Sequence, residues 1–154
     1  MKLRILSVGT KPPAWVREGF AAYAKRLPPD MVLDLVEIPA PKHRGNARGY
    51  VETEGARMMA HIQQGDRVIA MEDTGVTLSS AQLATKMDNW RMQGENIVFL
   101  VGGSDGLSAS VRDRADERMS LSALTFPHYM VRVVLAEALY RAWSICAGHP
   151  YHRE

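Results

Sequence analysis

Cysteine is all but missing from this 154-residue sequence; Cys146 is the single example. No intrachain disulfide can form, which sets aside stapled secreted scaffolds and fits a reducing compartment. Cys146 lies in an apolar helical stretch and reads as a packing residue rather than a nucleophile. Long hydrophobic runs are also lacking. A membrane span needs about 18 apolar residues without charge. The longest candidate, MVRVVLAEALYRAWSICAG, is broken by Arg132, Glu137 and Arg141. The opening MKLRILSVGTK is too short and too charged for a signal peptide, so a cytoplasmic protein with no membrane partner is expected. Metal-ligand clusters are scarce as well. His149 and His152 stand three apart, but no further Cys or His group completes four ligands, and no metal is expected. No Ser-His-Asp order or Cys-His pairing stands out. There is no internal repeat and no low-complexity tract. The excess of one charge sign is small: 19 Lys and Arg against 17 Asp and Glu, a net +2 with a pI of about 8.8. That balance permits an RNA partner without demanding one.

What is present suits one globular domain over residues 1–154. Apolar residues make up 46% and charged residues 23%, and a chain this long buries roughly 70% of its unfolded surface. Short β-like runs alternate with amphipathic helices. LRILSV opens as a strand. Val16, Phe20, Tyr23 and Leu27 then fall at helical spacing until Pro28-Pro29. VLDLVEI is a second strand, followed by the Pro-, Gly- and Arg-rich loop PAPKHRGNARG. A helix carries Val51, Gly55, Met58, Met59 and Ile62 on one face, and a close helix–strand contact would explain its glycine. RVIAM is the third strand. Ser79 and Gln82 fit a capping box ahead of Leu83, Met87 and Trp90, with Gly94 closing that helix. NIVFLV reads as a strand covered on both faces, MSLSAL as the last strand, and Pro127 to about Cys146 as the last helix. The order predicts an α/β fold with a mainly parallel sheet and helices on both faces. The last helix is apolar nearly all round, which calls for a second subunit as cover or for a central position within the monomer.

Chemistry concentrates in three places. In LVGGSDGLS, Gly102, Gly103 and Gly106 follow a buried strand at its carboxyl end, where open α/β sheets bind ligands. The spacing is not a dinucleotide fingerprint, and no Gly-Lys-Ser/Thr makes a P-loop; a plain tight turn is the alternative. Glu72, Asp73 and Asp105 would repel phosphates there, whereas a neutral or cationic ligand such as S-adenosylmethionine would be tolerated. Otherwise they are solvated loop acids. LSALTFPH, Leu121 to His128, links the last strand to the last helix and offers small and hydroxyl groups plus free helix N–H donors. The final HPYHRE packs His149, Tyr151, His152, Arg153 and Glu154 into six residues. The basic loop Lys42, His43, Arg44 and Arg48 suits RNA phosphates or plain solvation.

LVGGSDGLS together with SLSALTFPHYMVRVVLAEALYRAWSICAGHPYHRE resembles the ribosomal RNA large subunit methyltransferase H family, the small bacterial type of SPOUT methyltransferase. KLRILSVGTK, FAAYAKRLP and LVEIPAPK are similar too, so the likeness spans the chain. It implies a homodimer with a C-terminal trefoil knot, which physical reading of a sequence would not offer. It also implies S-adenosylmethionine-dependent methylation at N3 of a pseudouridine in helix 69 of large-subunit ribosomal RNA, on assembled ribosomes. By motif, the cofactor is expected against Met71, Gly103, Leu121, Ser122, Ala123, Leu124, Thr125 and Phe126. Met71-Glu72 departs from a common Leu-Asp, and Ser104-Asp105 fills a variable pair. A tail leaving a dimer-interface helix would lie over the partner's cofactor site. There Arg153 would stabilise an anion or a phosphate, His128 or His152 would orient the base or accept its proton, and Tyr151 would stack or hydrogen-bond. Two other readings predict different features: a ribosome-binding factor without catalysis would lack cofactor affinity, and a flavin or nucleotide module would carry phosphate-binding groups at a strand end.

Overall fold

The computed structural model describes residues 1–42 and 46–153. Five strands, β1 (Lys2–Val8), β2 (Val32–Ile38), β3 (Arg67–Thr77), β4 (Ile97–Val101) and β5 (Glu117–Ser120), alternate with α1 (Ala14–Ala24), α2 (Ala47–Met59), α3 (Ser80–Gln93), α4 (Ala109–Arg114) and α5 (His128–Cys146). A short 3-10 helix over Pro150–Arg153 follows. The strands form one sheet in the order β2-β1-β4-β3-β5, and every neighbouring pair is parallel.

The two-residue alternation of the strands decides which layer each side chain joins. Leu3, Ile5, Phe99 and Val101 turn to one face, where α1, α3 and α5 pack. Leu6, Val8, Val98 and Leu100 turn to the other, against Met58 of α2 and Val111 of α4. β4 is therefore buried at all five positions, the continuous apolar run of a covered parallel strand. α3 starts with the expected capping box between Ser79 and Gln82 and ends on Gly94 in the left-handed region, φ 67°.

Two expectations need correcting. First, the last strand stops at Ser120 rather than running through MSLSAL. The Ser120 hydroxyl donates to the Ser122 carbonyl at 2.9 Å, and the Leu124 N–H donates to the Ser122 hydroxyl at 3.0 Å. Those local bonds compete with a ladder, so residues 121–127 leave the sheet. Second, Gly55 is spaced for Ser108, the residue capping α4, and not for a strand. Of the two covers open to α5, the chain itself supplies much. It packs in one layer beside α1 and α3, burying Leu135, Ala136, Leu139 and Tyr140. Met130 and Val134, one turn apart, stay only half-buried.

β3 also runs six residues past RVIAM. Its register against β5 jumps between Met71 and Val76, both opposite Met119. The extra residues, Glu72 to Gly75, bulge outward at the carboxyl edge. Gly75 permits this because a Cβ there would sit 2.6 Å from the Met119 nitrogen.

Candidate functional site

At the carboxyl ends of β3, β4 and β5 lies a cavity of about 530 Å³, within the range of small-ligand pockets. Three segments supply most of its wall: Met71 to Thr74 from the bulge, Val101 to Leu107 without Asp105 from the loop after β4, and Met119 to His128 without Ala123 from β5 and its exit loop. Arg112 of α4 and Val131 of α5 complete it. The glycine loop is held by an N–H of Gly106 donating to the Gly103 carbonyl at 3.1 Å. Gly102 lies so close to Gly106 that a Cβ would fall 2.6 Å from its carbonyl carbon, and Gly106 has φ 81°. Side chains at those two positions would push the loop out of shape.

Of the eight residues expected against the cofactor, seven line this cavity: Met71, Gly103, Leu121, Ser122, Leu124, Thr125 and Phe126. Ala123 is exposed on the same loop and does not reach it. Leu124 leaves 71% of its surface bare at the rim, an apolar face ready for a flat ring. His128, the first residue of α5, lines the pocket and stacks on Tyr129 at 4.4 Å. Burial, and then the Arg132 guanidinium, hold its pKa below the ordinary histidine value of 6.5. It is therefore mostly neutral at pH 7 and able to accept a proton.

Arg132 carries that charge from inside the protein. It is fully buried and spends its fork on the end of β1. Nε donates to the Ser7 hydroxyl at 3.0 Å, Nη2 to the Gly9 carbonyl at 2.7 Å, and Nη1 to Glu37 at 2.8 Å. The Tyr129 ring covers it at 4.7 Å. Tyr129 in turn accepts a hydrogen bond from the Lys11 N–H at 3.2 Å. The start of α5, and His128 with it, is thus anchored to the sheet. Sequence reading passed over Arg132 as one charge among apolar residues. Its spacing to Leu135, Ala136 and Leu139 was the available signal, because those positions share the buried face.

The acids differ from expectation. Glu72 is not solvated: its side chain is 7% exposed, and it accepts from Arg112 Nε and, at 2.7 Å, from Arg118 Nε. Asp105 accepts from the Tyr50 hydroxyl at 2.6 Å. The argument that these carboxylates repel phosphates therefore fails for Glu72.

The tail does not meet the pocket of its own chain. α5 separates them by about 27 Å of helix. Tyr151 folds back on α5, its ring 4.7 Å from Tyr140 and its hydroxyl donating to Glu137 at 3.0 Å. Burial, together with its bonds to Tyr23 and Glu137, raises its pKa far above the usual phenol value, so it stays a neutral donor. His152 Nδ1 is buried and finds no partner among the described residues, while Arg153 is exposed. Cys146 donates to the Ala84 carbonyl at 3.3 Å, and burial pushes its thiol up to about 11, which suits packing and not nucleophilic attack. Of the basic loop, Lys42 and Arg48 are exposed; His43 and Arg44 lie outside the described residues, as does Glu154. Among the described residues no group of three or more His, Cys, Asp or Glu could hold a metal ion, and no helix is long and apolar enough to cross a membrane.

The family model described as a predicted SPOUT methyltransferase matches residues 1–152. The chain belongs to the SPOUT methyltransferase family. Among its relatives are proteins named ribosomal RNA large subunit methyltransferase H. That of Hahella chejuensis is 48% identical over the whole of both chains. That of a Marinomonas species is 50% identical over 99% of this chain and 100% of its own. Among solved structures, a "probable methylase family protein" from Haemophilus influenzae Rd KW20 matches with a TM-score of 0.55 over 97% of this chain and 69% of its own. At 14% identity that likeness is one of fold alone. In this SPOUT chain the pocket falls where open α/β sheets bind ligands.

Proposed function

We propose that this chain is an S-adenosylmethionine-dependent methyltransferase of large-subunit ribosomal RNA, acting at N3 of a pseudouridine in helix 69 of assembled ribosomes in the cytoplasm. The observation that carries the reading is that Met71, Gly103, Leu121, Ser122, Leu124, Thr125 and Phe126 line one pocket, seven of the eight residues that the family likeness assigns to the cofactor. The lining fits such a ligand. Met71, Met119, Leu121, Leu124 and Phe126 offer apolar surface for adenine. The glycine loop lets backbone groups approach closely. The whole chain acts as one domain, and α5 with its preceding loop completes a C-terminal trefoil knot, as the family likeness implies.

S-adenosylmethionine supplies an electrophilic methyl group on a sulfonium. The chain's own task is to remove the N3 proton and hold the two reactants in line. Neutral His128 lines the pocket, and its unprotonated ring nitrogen would accept that proton as the methyl group is transferred from the sulfonium to N3. The tail groups Tyr151, His152 and Arg153 serve from the second subunit of a homodimer. The half-buried apolar residues Met130 and Val134 on α5 suit such a seam. Arg153 would then neutralise the uracil anion or a phosphate, Tyr151 would stack on the base or accept a hydrogen bond at its oxygen, and His152 would orient the base.

Transfer of labelled methyl groups to purified ribosomes tests the reading. One modified pseudouridine in helix 69 is expected, with no product on ribosomes lacking that pseudouridine. Label on another nucleotide, or on protein, would overturn it.

A further inference from the structure

Glu72 in the pocket wall holds two guanidinium groups, that of Arg112, which also lines the pocket, and that of Arg118, which lies outside it. Oε1 takes Arg112 Nε and Oε2 takes Arg118 Nε. Arg118 turns one terminal nitrogen to the Thr74 hydroxyl at 2.6 Å. Arg112 turns none of its terminal nitrogens to any described residue, and its side chain is 53% exposed. One nearly buried carboxylate thus fixes the direction of two forks and cancels only one of their charges. An arginine oriented through Nε presents its terminal donors as a pre-set pair, the geometry that matches a phosphate. Asp73, next in the bulge, also faces the pocket and is exposed to water, so its charge is largely screened.

We infer that Arg112, aimed by Glu72 and backed by the charge of Arg118, grips a backbone phosphate beside the nucleotide being methylated. This rests on the RNA methyltransferase reading above and gives that site its substrate contact within the same subunit. The bulge of β3 explains why the pair is built here. It pushes Glu72 out to the carboxyl edge, where Arg112 of α4 and Arg118 of β5 both reach it. Glu72 is then a positioning residue, and Arg112 a binding one.

The test is equilibrium binding of Arg112→Gln and wild type to purified bacterial ribosomes, with potassium chloride varied at fixed magnesium. S-adenosylmethionine affinity is measured in parallel by calorimetry. Each lost phosphate contact lowers the slope of log affinity against log salt by about 0.7 to 1. The expected result is such a drop, a several-fold rise in KM for ribosomes, and unchanged affinity for S-adenosylmethionine. Arg112→Lys should keep most of the slope while losing part of the affinity. Arg91→Gln, a charge removed on α3 away from the pocket, should leave the slope alone. Glu72→Gln should weaken ribosome binding through loss of orientation. An unchanged slope in Arg112→Gln overturns the inference. So does a matched loss of S-adenosylmethionine affinity, since the arginine would then hold the methionine carboxylate. A wild-type protein that neither binds nor methylates ribosomes would instead overturn the RNA reading itself.

Discussion

In the proposed reaction His128 accepts the N3 proton, and its environment predicts a pH profile. Its pKa is lowered, by burial first and by Arg132 second. The neutral, proton-accepting form therefore persists as pH falls past 6.5 and is lost only below it. The acid limb of kcat/KM for ribosome methylation should lie below pH 6.5. His128→Asn should cost about 10²-fold or more in kcat and remove that limb, with the affinity for S-adenosylmethionine little changed. A limb above 6.5 would assign the base elsewhere. Arg132 makes the companion case. Removing a fully buried guanidinium strands Glu37, Ser7 and the Gly9 carbonyl. Arg132→Met should lose about 3 kcal/mol of stability, read from urea unfolding. Both residues lie in PHYMVRVVL, and sequence reading singles out only His128. The role of Arg132 depends on acceptors more than 90 positions away in the chain, and no local pattern carries that information.

At the scale of elements, local signals read well wherever a side chain satisfied its own neighbours. The Ser79–Gln82 capping box, the apolar run of β4 and the stop at Gly94 all formed as expected, because their causes lie within a few residues. The end of β5 was misread because MSLSAL has the composition of a strand, while the bonds around Ser122 are decided by geometry. The bulge of β3 was invisible for the opposite reason: it exists only as a register between two strands distant in sequence. Gly75 is its signature. A methyl group there would meet the backbone of Arg118 and Met119 at 2.6 to 2.8 Å. Gly75→Ala should wedge β3 from β5, with a loss of about 1–3 kcal/mol in stability. Because the same bulge places Met71 and Glu72 in the pocket wall, affinity for S-adenosylmethionine should fall as well. A stable variant with full affinity would show that the bulge has no part in shaping the site.

At the scale of the molecule, the distance between the two ends of α5 sets the constraint. His128 opens that helix at the pocket, and the tail follows its other end about 27 Å away. No loop movement confined to Ala147–Arg153 returns Tyr151 or Arg153 to the pocket of the same chain while Tyr151 remains bonded to Glu137. If these groups act on the substrate, they act in the other subunit, and each active site is a composite of two chains. That arrangement has a consequence that a purely structural tail lacks. A chain with a dead pocket, His128→Asn, still carries a working tail. A chain with Tyr151→Phe and Arg153→Ala still carries a working pocket. Either homodimer should be nearly inactive. Mixing them under subunit exchange should form heterodimers with one intact site, restoring about a quarter of wild-type activity for equal mixing in a two-fold dimer. Activity that merely averages the two parents, with exchange verified by mass spectrometry of the dimers, would confine the tail to structure and leave His128 to act with groups of its own chain.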